Sequence, residues 1–146
     1  MNSVVYLIPK TKGFVMTVFK KRIHFFDADA AGVLFHGTYF NVCHSVFESF
    51  IASQNKYHEY FSSSDFGFPI IHTEATYSAP LFPGEEVEIN LSLIEIKNSS
   101  FSLLYKIKKQ NGDIAAEIKI VIVSIEKKKW QKITLPPFVR EMLNQL

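Results

Sequence analysis

Apolar residues recur at spacings of three and four over only one long stretch of this chain, from Thr38 to Ala52, where Tyr39, Cys43, Val46, Phe47, Phe50 and Ile51 are separated by Asn41, His44, Ser45 and Glu48. That period predicts one amphipathic helix with one apolar face. Other segments alternate at two. From Phe14 to Phe25, Val15, Phe19, Ile23 and Phe25 share one parity and Lys20, Arg22 and His24 the other, which predicts a strand with one wet face. After the helix, a short helical turn is expected over Tyr57 to Phe61, followed by strands over Ile70 to Ser78, Glu86 to Lys97, Phe101 to Lys109 and Ile114 to Glu126. Pro83-Gly84, Asn98-Ser99-Ser100 and Asn111-Gly112-Asp113 supply the breaks between them. The order of strand, long helix, then strands joined by tight turns is that of an α+β domain.

Three details refine this reading. The second of the four strands changes parity after Leu93, which predicts a bulge there. Ile120 to Ile125 is almost continuously apolar, as in a central strand covered on both faces. After Pro136-Pro137, the run Phe138 to Leu146 suits a short terminal helix. One helix covers one sheet face, so the other face or an edge is expected to meet a second copy of the chain.

With 146 residues, 47% of them hydrophobic, the chain is long enough to bury one core and short for two. Sixteen Lys and Arg against fourteen Asp and Glu leave a formal charge of +2, too small for nucleic-acid binding as a main activity. The basic run Lys127 to Lys129 reads as a solvated turn. The single cysteine, Cys43, has no partner for a disulfide within the chain and fits a reducing cytosol. Val4 to Ile8 is far shorter than a signal-peptide core or a membrane span, so a soluble, cytoplasmic protein is expected. Fourteen Phe, six Tyr and one Trp are a large supply of flat apolar surface; most is core, and any excess can line a pocket for an apolar or aromatic ligand.

The chemistry concentrates between Asp27 and Phe40. Two carboxylates, Asp27 and Asp29, are followed by small residues and lead straight into the helix. The first N–H groups of a helix are unpaired and its dipole favours negative charge, so a carboxylate base or nucleophile would sit beside a ready oxyanion site. The plainer alternative is that both acids cap turns, which short acids commonly do. His24, Asp27, Asp29, His36 and His44 also fall close together, but their spacing matches no familiar zinc pattern and no second cysteine is present, so no metal is expected. Neither a G-x-S-x-G elbow nor a Gly-rich phosphate loop is found.

The string D-A-D-A-A-G-V-L-F-H-G-T-Y-F, Asp27 to Phe40, resembles the signature of the 4-hydroxybenzoyl-CoA thioesterase-like hotdog family, in which D-x-D-x-x-G-[VI] precedes a long central helix. The likeness continues through the P-L-F-P-G-E turn at Pro80 to Glu85, the strand from Asn98 to Tyr105 and the proline-led final helix. Cys43-His44, P-I-I-H-T-E-A at Pro69 to Ala75 and the P-L-F turn are similar to cyanobacterial members that hydrolyse 1,4-dihydroxy-2-naphthoyl-CoA on the route to phylloquinone. The resemblance implies one hotdog domain over residues 1–146, an antiparallel sheet wrapped around the helix, assembled as a homodimer or homotetramer. It implies an acyl-CoA hydrolase that needs no cofactor.

Carried onto positions, the resemblance makes Asp29 the nucleophile or general base. It puts the oxyanion donor at the backbone near His36 and Gly37, with Tyr39 in the substrate-binding set. Asp27 is a supporting residue that hydrogen-bonds the loop. Glu48, twelve residues past His36, lies too far along the helix to share the same carbonyl, though it is a candidate for a partner's pocket. His72 and Glu74 share a strand face and are read either as contacts to a substrate hydroxyl or as an exposed polar face. Ser99 and Ser100 match the family's strand-start serines, near which a neighbouring subunit lines the site; a plain turn is the rival reading. Phe35, Tyr39, Phe40, Phe47, Tyr57 and Phe61 are available for a flat acyl slot. Three other functions fit the same shell: a thioesterase for another aromatic or fatty acyl-CoA, a non-catalytic acyl-CoA-binding protein, and a dehydratase using His44 and Glu48.

Overall fold

The computed structural model describes residues 4–7 and 17–146. Two strands, β1 (Val4–Leu7) and β2 (Thr17–Arg22), lead to a 3-10 turn, Phe25–Asp27, and then to α1 (His36–Ser53) and the short α2 (Tyr57–Phe61). The remainder is β3 (Phe66–Gly67), β4 (Ile70–Tyr77), β5 (Glu86–Ile96), β6 (Ser100–Lys109), β7 (Ile114–Val123), β8 (Ile125–Glu126), β9 (Gln131–Lys132) and α3 (Pro137–Leu143). The six longer strands form one antiparallel sheet in the order β1-β2-β5-β6-β7-β4, while β3, β8 and β9 form a small second one.

The period of two decides the two faces of the large sheet. Phe19, Ile89, Leu103, Tyr105, Ile118 and Ile120 point inward, where they join Tyr39, Cys43, Val46, Phe47 and Phe50 of α1 in one apolar core. Positions of opposite parity stay polar: Lys20 lies 3.8 Å from Glu88 and Lys106 lies 3.2 Å from Glu117 across neighbouring strands. On α1 the serines of the wetter side satisfy themselves, Ser45 Oγ donating to the Val42 carbonyl at 3.0 Å and Ser49 Oγ to that of Ser45 at 2.8 Å. The helix therefore follows the stripe read from the sequence.

The bulge expected near Leu93 is present, with the register shifting between Leu93 and Glu95. It leaves Ile94 exposed and returns Ile96 to the inner face against the core. The sequence gives no sign of two further shifts, in β4 between Ile70 and His72 and in the β6–β7 ladder at Ile107/Lys108.

Two expectations need correction. β2 ends at Arg22 instead of continuing to Phe25, and Phe25 is 87% exposed. Ile23 still exchanges hydrogen bonds with the Gly84–Glu85 turn, but the Asp27 carboxylate then accepts the His24 amide at 3.0 Å and winds the chain into the 3-10 turn. The part of that expectation on residues 14–16, including Val15, lies outside the described residues. The last long strand stops at Val123, because Ser124 donates its amide to the Ser99 carbonyl and Ile125 pairs in the small sheet. Ile122 to Ile125 are all buried, while Val121 and Lys119 on the outer face are half-buried. The apolar run therefore marks the crossing between sheets, not a strand covered on both faces along its length.

Candidate active site

Asp29 sits in the loop between the 3-10 turn and α1, and the loop is built around it. Its amide donates to the Val33 carbonyl at 2.8 Å and its carbonyl accepts the Gly32 amide at 3.0 Å. That tight closure needs a left-handed residue, supplied by Gly32 at φ +79°. The Asp29 Oδ1 accepts the Ala31 amide at 2.8 Å and the Val33 amide at 3.4 Å, so the acid does cap its turn. Among the described residues nothing hydrogen-bonds its Oδ2. The side chain is exposed and lines an open cleft of about 350 Å³ with His36, Tyr39, Tyr77 and Pro80.

The start of α1 forms the other side of this cleft. Phe35 precedes the helix with extended backbone and no capping side chain, held by its amide on the Asp27 carbonyl at 2.9 Å. Among the described residues, the amides of His36 and Gly37 have no acceptor, and they open the helix at its positive end. Gly37 lies close under Phe35: a Cβ there would stand 2.7 Å from Cε1 of that ring and push it aside. The His36 ring tilts on that of Phe35 at 4.3 Å and makes no hydrogen bond to Asp29. Tyr39 is buried and meets Tyr77 edge-on at 4.8 Å. Its burial, then the nearby Tyr77 and Glu85, raise the hydroxyl above its ordinary pKa and keep it a donor. Asp29 and His36 thus line one cleft, and a carboxylate near the bare amides of a helix start is a combination that acyl transfer can use.

The other candidates are distributed more widely. Asp27 is buried and holds structure: its Oδ2 accepts the His24 amide and lies 3.8 Å from Lys21 Nζ and 3.6 Å from His24 Nδ1. Glu48 is engaged further along α1, where Tyr57 donates to its Oε1 at 2.8 Å and His44 Nε2 lies 3.9 Å from its Oε2. The pairing of β4 with β7 puts His72 and Glu74 level with Val121 and Lys119, on the sheet face turned away from α1. They meet each other at 3.4 Å and are exposed, so the polar-face reading describes their place in the single chain. Ser99 and Ser100 open β6 beside Val123, whereas the Asp29 cleft adjoins Ala115 at the other end of β7. At about 3.3 Å per residue, seven or more residues of strand separate them from Asp29. Among the described residues no three His, Cys, Asp or Glu side chains converge as metal ligands.

Sequence reasoning passed over Tyr77, whose only signal was an aromatic at the end of a strand. It also passed over an apolar cavity of about 330 Å³ between α1, α2 and the small sheet. Phe47 and Phe61 of the expected slot line it, together with Tyr60, Phe68 and Trp130. Phe40 lines a smaller adjoining chamber of about 160 Å³. Tyr57 lines neither, being held on Glu48.

Comparison with known proteins identifies the fold and the family. The 1,4-dihydroxy-2-naphthoyl-CoA hydrolase of Crocosphaera subtropica is 29% identical over 128 residues, covering 86% of this chain and 93% of the relative. The enzyme of the same name from Prochlorococcus marinus (strain NATL2A) is 32% identical, covering 86% of each. Among solved structures, a 1,4-dihydroxy-2-naphthoyl-CoA thioesterase from Synechocystis superposes with a TM-score of 0.80 at 23% identity, over 90% of this chain and 97% of that one. A gentisyl-coenzyme A thioesterase does so with a TM-score of 0.74 at 26% identity, over 88% and 99%. Residues 23–143 match the thioesterase-like superfamily, and with the long helix laid against an antiparallel sheet, the chain belongs to that superfamily and has its hotdog fold.

Proposed function

We propose that this thioester hydrolase cleaves 1,4-dihydroxy-2-naphthoyl-CoA to 1,4-dihydroxy-2-naphthoate and CoA, on the route to phylloquinone, and works as a homodimer or homotetramer. The observation that carries the reading is the Asp29 carboxylate, with one oxygen held by its own loop, in a cleft it shares with His36 at the start of α1, where the amides of His36 and Gly37 are bare. The relatives that share the chain's length bear this substrate in their names.

A thioester carbonyl oxygen placed on those amides gains charge stabilisation as the carbon becomes tetrahedral. Asp29 then serves in one of two ways. As a nucleophile its Oδ2 bonds the carbonyl carbon, the C–S bond breaks, CoA leaves as thiolate and takes a proton from solvent, and water hydrolyses the acyl-aspartyl anhydride. As a base it takes a proton from a water whose oxygen bonds the same carbon, after which the C–S bond breaks and CoA leaves as thiolate and is protonated by Asp29 or solvent. No redox step or cofactor enters either route.

Thiol release tests the reading, measured with 1,4-dihydroxy-2-naphthoyl-CoA beside benzoyl-CoA and palmitoyl-CoA for wild type and Asp29→Asn. Fast release from the naphthoyl thioester that depends on Asp29 is the expected result. Asp29-dependent release from another acyl-CoA alone would reject the naphthoyl assignment. Tight binding with no release from any would favour an acyl-CoA-binding protein.

A further inference from the structure

We propose that the turn from Lys127 to Trp130 is a docking surface for an anionic lipid bilayer, with the Trp130 ring seated at headgroup level and the lysines beside it facing the negative surface. The turn is remote from the Asp29 cleft, so the inference holds whichever acyl group that cleft takes. The cleft adjoins Ala115, whereas the turn follows Val123 at the other end of β7. At about 3.3 Å per residue the strand between them runs about 25 Å, and docking leaves the cleft open.

Trp130 is the residue the fold leaves unexplained. It stands on the rim of the cavity between α1, α2 and the small sheet, is 69% exposed, and among the described residues no other ring stacks on it. Its φ is +53°, a backbone region where a bulky residue is strained and which glycine or asparagine enters at lower cost. Neither packing nor backbone geometry therefore selects tryptophan here. An amphipathic ring held in water at the tip of a hairpin suits the boundary between lipid headgroups and hydrocarbon, where tryptophan is enriched.

The charge around it points to the same partner. Lys127, Lys128, Lys129 and Lys132 are all exposed. Glu126, the acid of this hairpin, is spent on its backbone: Oε1 accepts the Lys128 amide at 3.0 Å and Oε2 the Lys129 amide at 2.7 Å. The Lys127 amide donates to the Asp65 carbonyl at 2.8 Å, and its ammonium donates to the Ser63 carbonyl. Those bonds decide which anion fits. A discrete phosphate is held by converging free amides, but here the amides of all three lysines are taken, two of them by a carboxylate that repels a small anion at the centre of the turn. Among the described residues the ammonium groups of Lys128, Lys129 and Lys132 meet no acid. What the turn offers is spread, outward positive charge, which an extended anionic surface rewards by about fivefold in affinity per lysine.

Binding of the full chain to phosphatidylglycerol vesicles and to phosphatidylcholine vesicles tests the surface, read by co-sedimentation and by the emission of Trp130, the only tryptophan in the chain. The expected result is binding to phosphatidylglycerol with a blue shift and with quenching by brominated acyl chains, and little binding to phosphatidylcholine. Lys128→Gln/Lys129→Gln should bind phosphatidylglycerol about 25-fold more weakly, at about fivefold per lysine. Trp130→Gly suits the positive φ, so it should melt at or above the wild-type midpoint while its binding also falls. Equal binding to the two lipids, or binding to neither, would overturn the proposal. Vesicle-bound protein whose Trp130 emission stays constant would do the same by putting another surface on the lipid. So would emission that responds to free CoA and not to vesicles, which would make the turn a site for a small phosphate-bearing ligand.

Discussion

Asp29 Oδ1 accepts the Ala31 amide at 2.8 Å, which ties the reactive side chain to the loop that presents it. One oxygen thus serves the scaffold and the other the cleft, and substitutions separate the two. Asparagine keeps an oxygen for the Ala31 amide and loses the charge and the nucleophile. Asp29→Asn should therefore unfold with a midpoint close to wild type while kcat falls by about 100-fold or more. Asp29→Ala loses the turn as well and should cost about 1 kcal/mol of stability in addition. Equal turnover in wild type and a folded Asp29→Asn would remove Asp29 from the chemistry.

How far the sequence could be read follows from what is local. α1 and α2 were legible because a stripe at three and four, and a turn beside a polar loop, are properties of neighbouring residues. The Leu93 bulge was legible because the parity of Val87, Ile89, Leu91 and Leu93 fails at Ile94. The end of β2 was not, since what stops it is the Asp27 carboxylate on the His24 amide, a contact no period encodes. Within the site, Asp29 and the amides at His36 and Gly37 lie in one continuous string. Tyr77, Gly67 and Trp130 reach the cleft or the chambers only through strand pairing and the β8–β9 turn, so their spacing in sequence says nothing of them.

Gly37→Ala tests whether the helix start must stay tightly packed. The added Cβ would stand 2.7 Å from Phe35 Cε1, so the partly exposed Phe35 ring must swing away and carry its contact with His36 along. Alanine also favours the helix interior over glycine by roughly 1 kcal/mol, so the fold should not weaken. Because misplacing an oxyanion donor disturbs the attack geometry, kcat should drop about tenfold or more. The double variant Phe35→Ala/Gly37→Ala removes the clash and should regain most of the loss. Failure of the double variant to recover would show that the ring is not the cause.

Glu85 provides a test in acid. Its Oε2 accepts the Phe82 amide at 2.8 Å and its Oε1 lies 3.0 Å from Lys109 Nζ, which also donates to the Pro80 carbonyl at 3.0 Å. Burial pushes this carboxyl upward, but the Phe82 amide and Lys109 together outweigh it and hold the group below its ordinary value of 4.5. A depressed folded pKa means stability that is present above 4.5 and lost as the pH falls through the folded value. Glu85→Gln should therefore cost about 0.5 to 1 kcal/mol at neutral pH, allowing for solvent screening of a partly exposed pair. In urea melts the gap between wild type and variant should close as the pH drops below 4.5. A gap that persists in acid would assign the effect to packing of the Pro80–Glu85 turn instead of to charge.

The remaining prediction concerns the edge of the large sheet. Among the described residues β4 is its last strand, paired with β7 on one side only, and Ile70, Ile71 and Tyr77 on it are 49%, 56% and 46% exposed. An edge with open N–H and C=O groups and apolar side chains recruits a further strand unless charge blocks it, and His72 and Glu74 are the basic and acidic side chains it carries. A second copy offers the same edge, and antiparallel self-pairing satisfies both chains by a two-fold axis. Light scattering should therefore give a mass at least twice the 16.7 kDa of one chain. Ile71 is the residue displaced by the β4 irregularity, so Ile71→Lys adds charge to the edge without entering the core. That variant should shift the population toward the single-chain mass. A wild type that is monomeric at the concentrations where it turns over would show that one chain suffices and that the exposed edge is not an assembly surface.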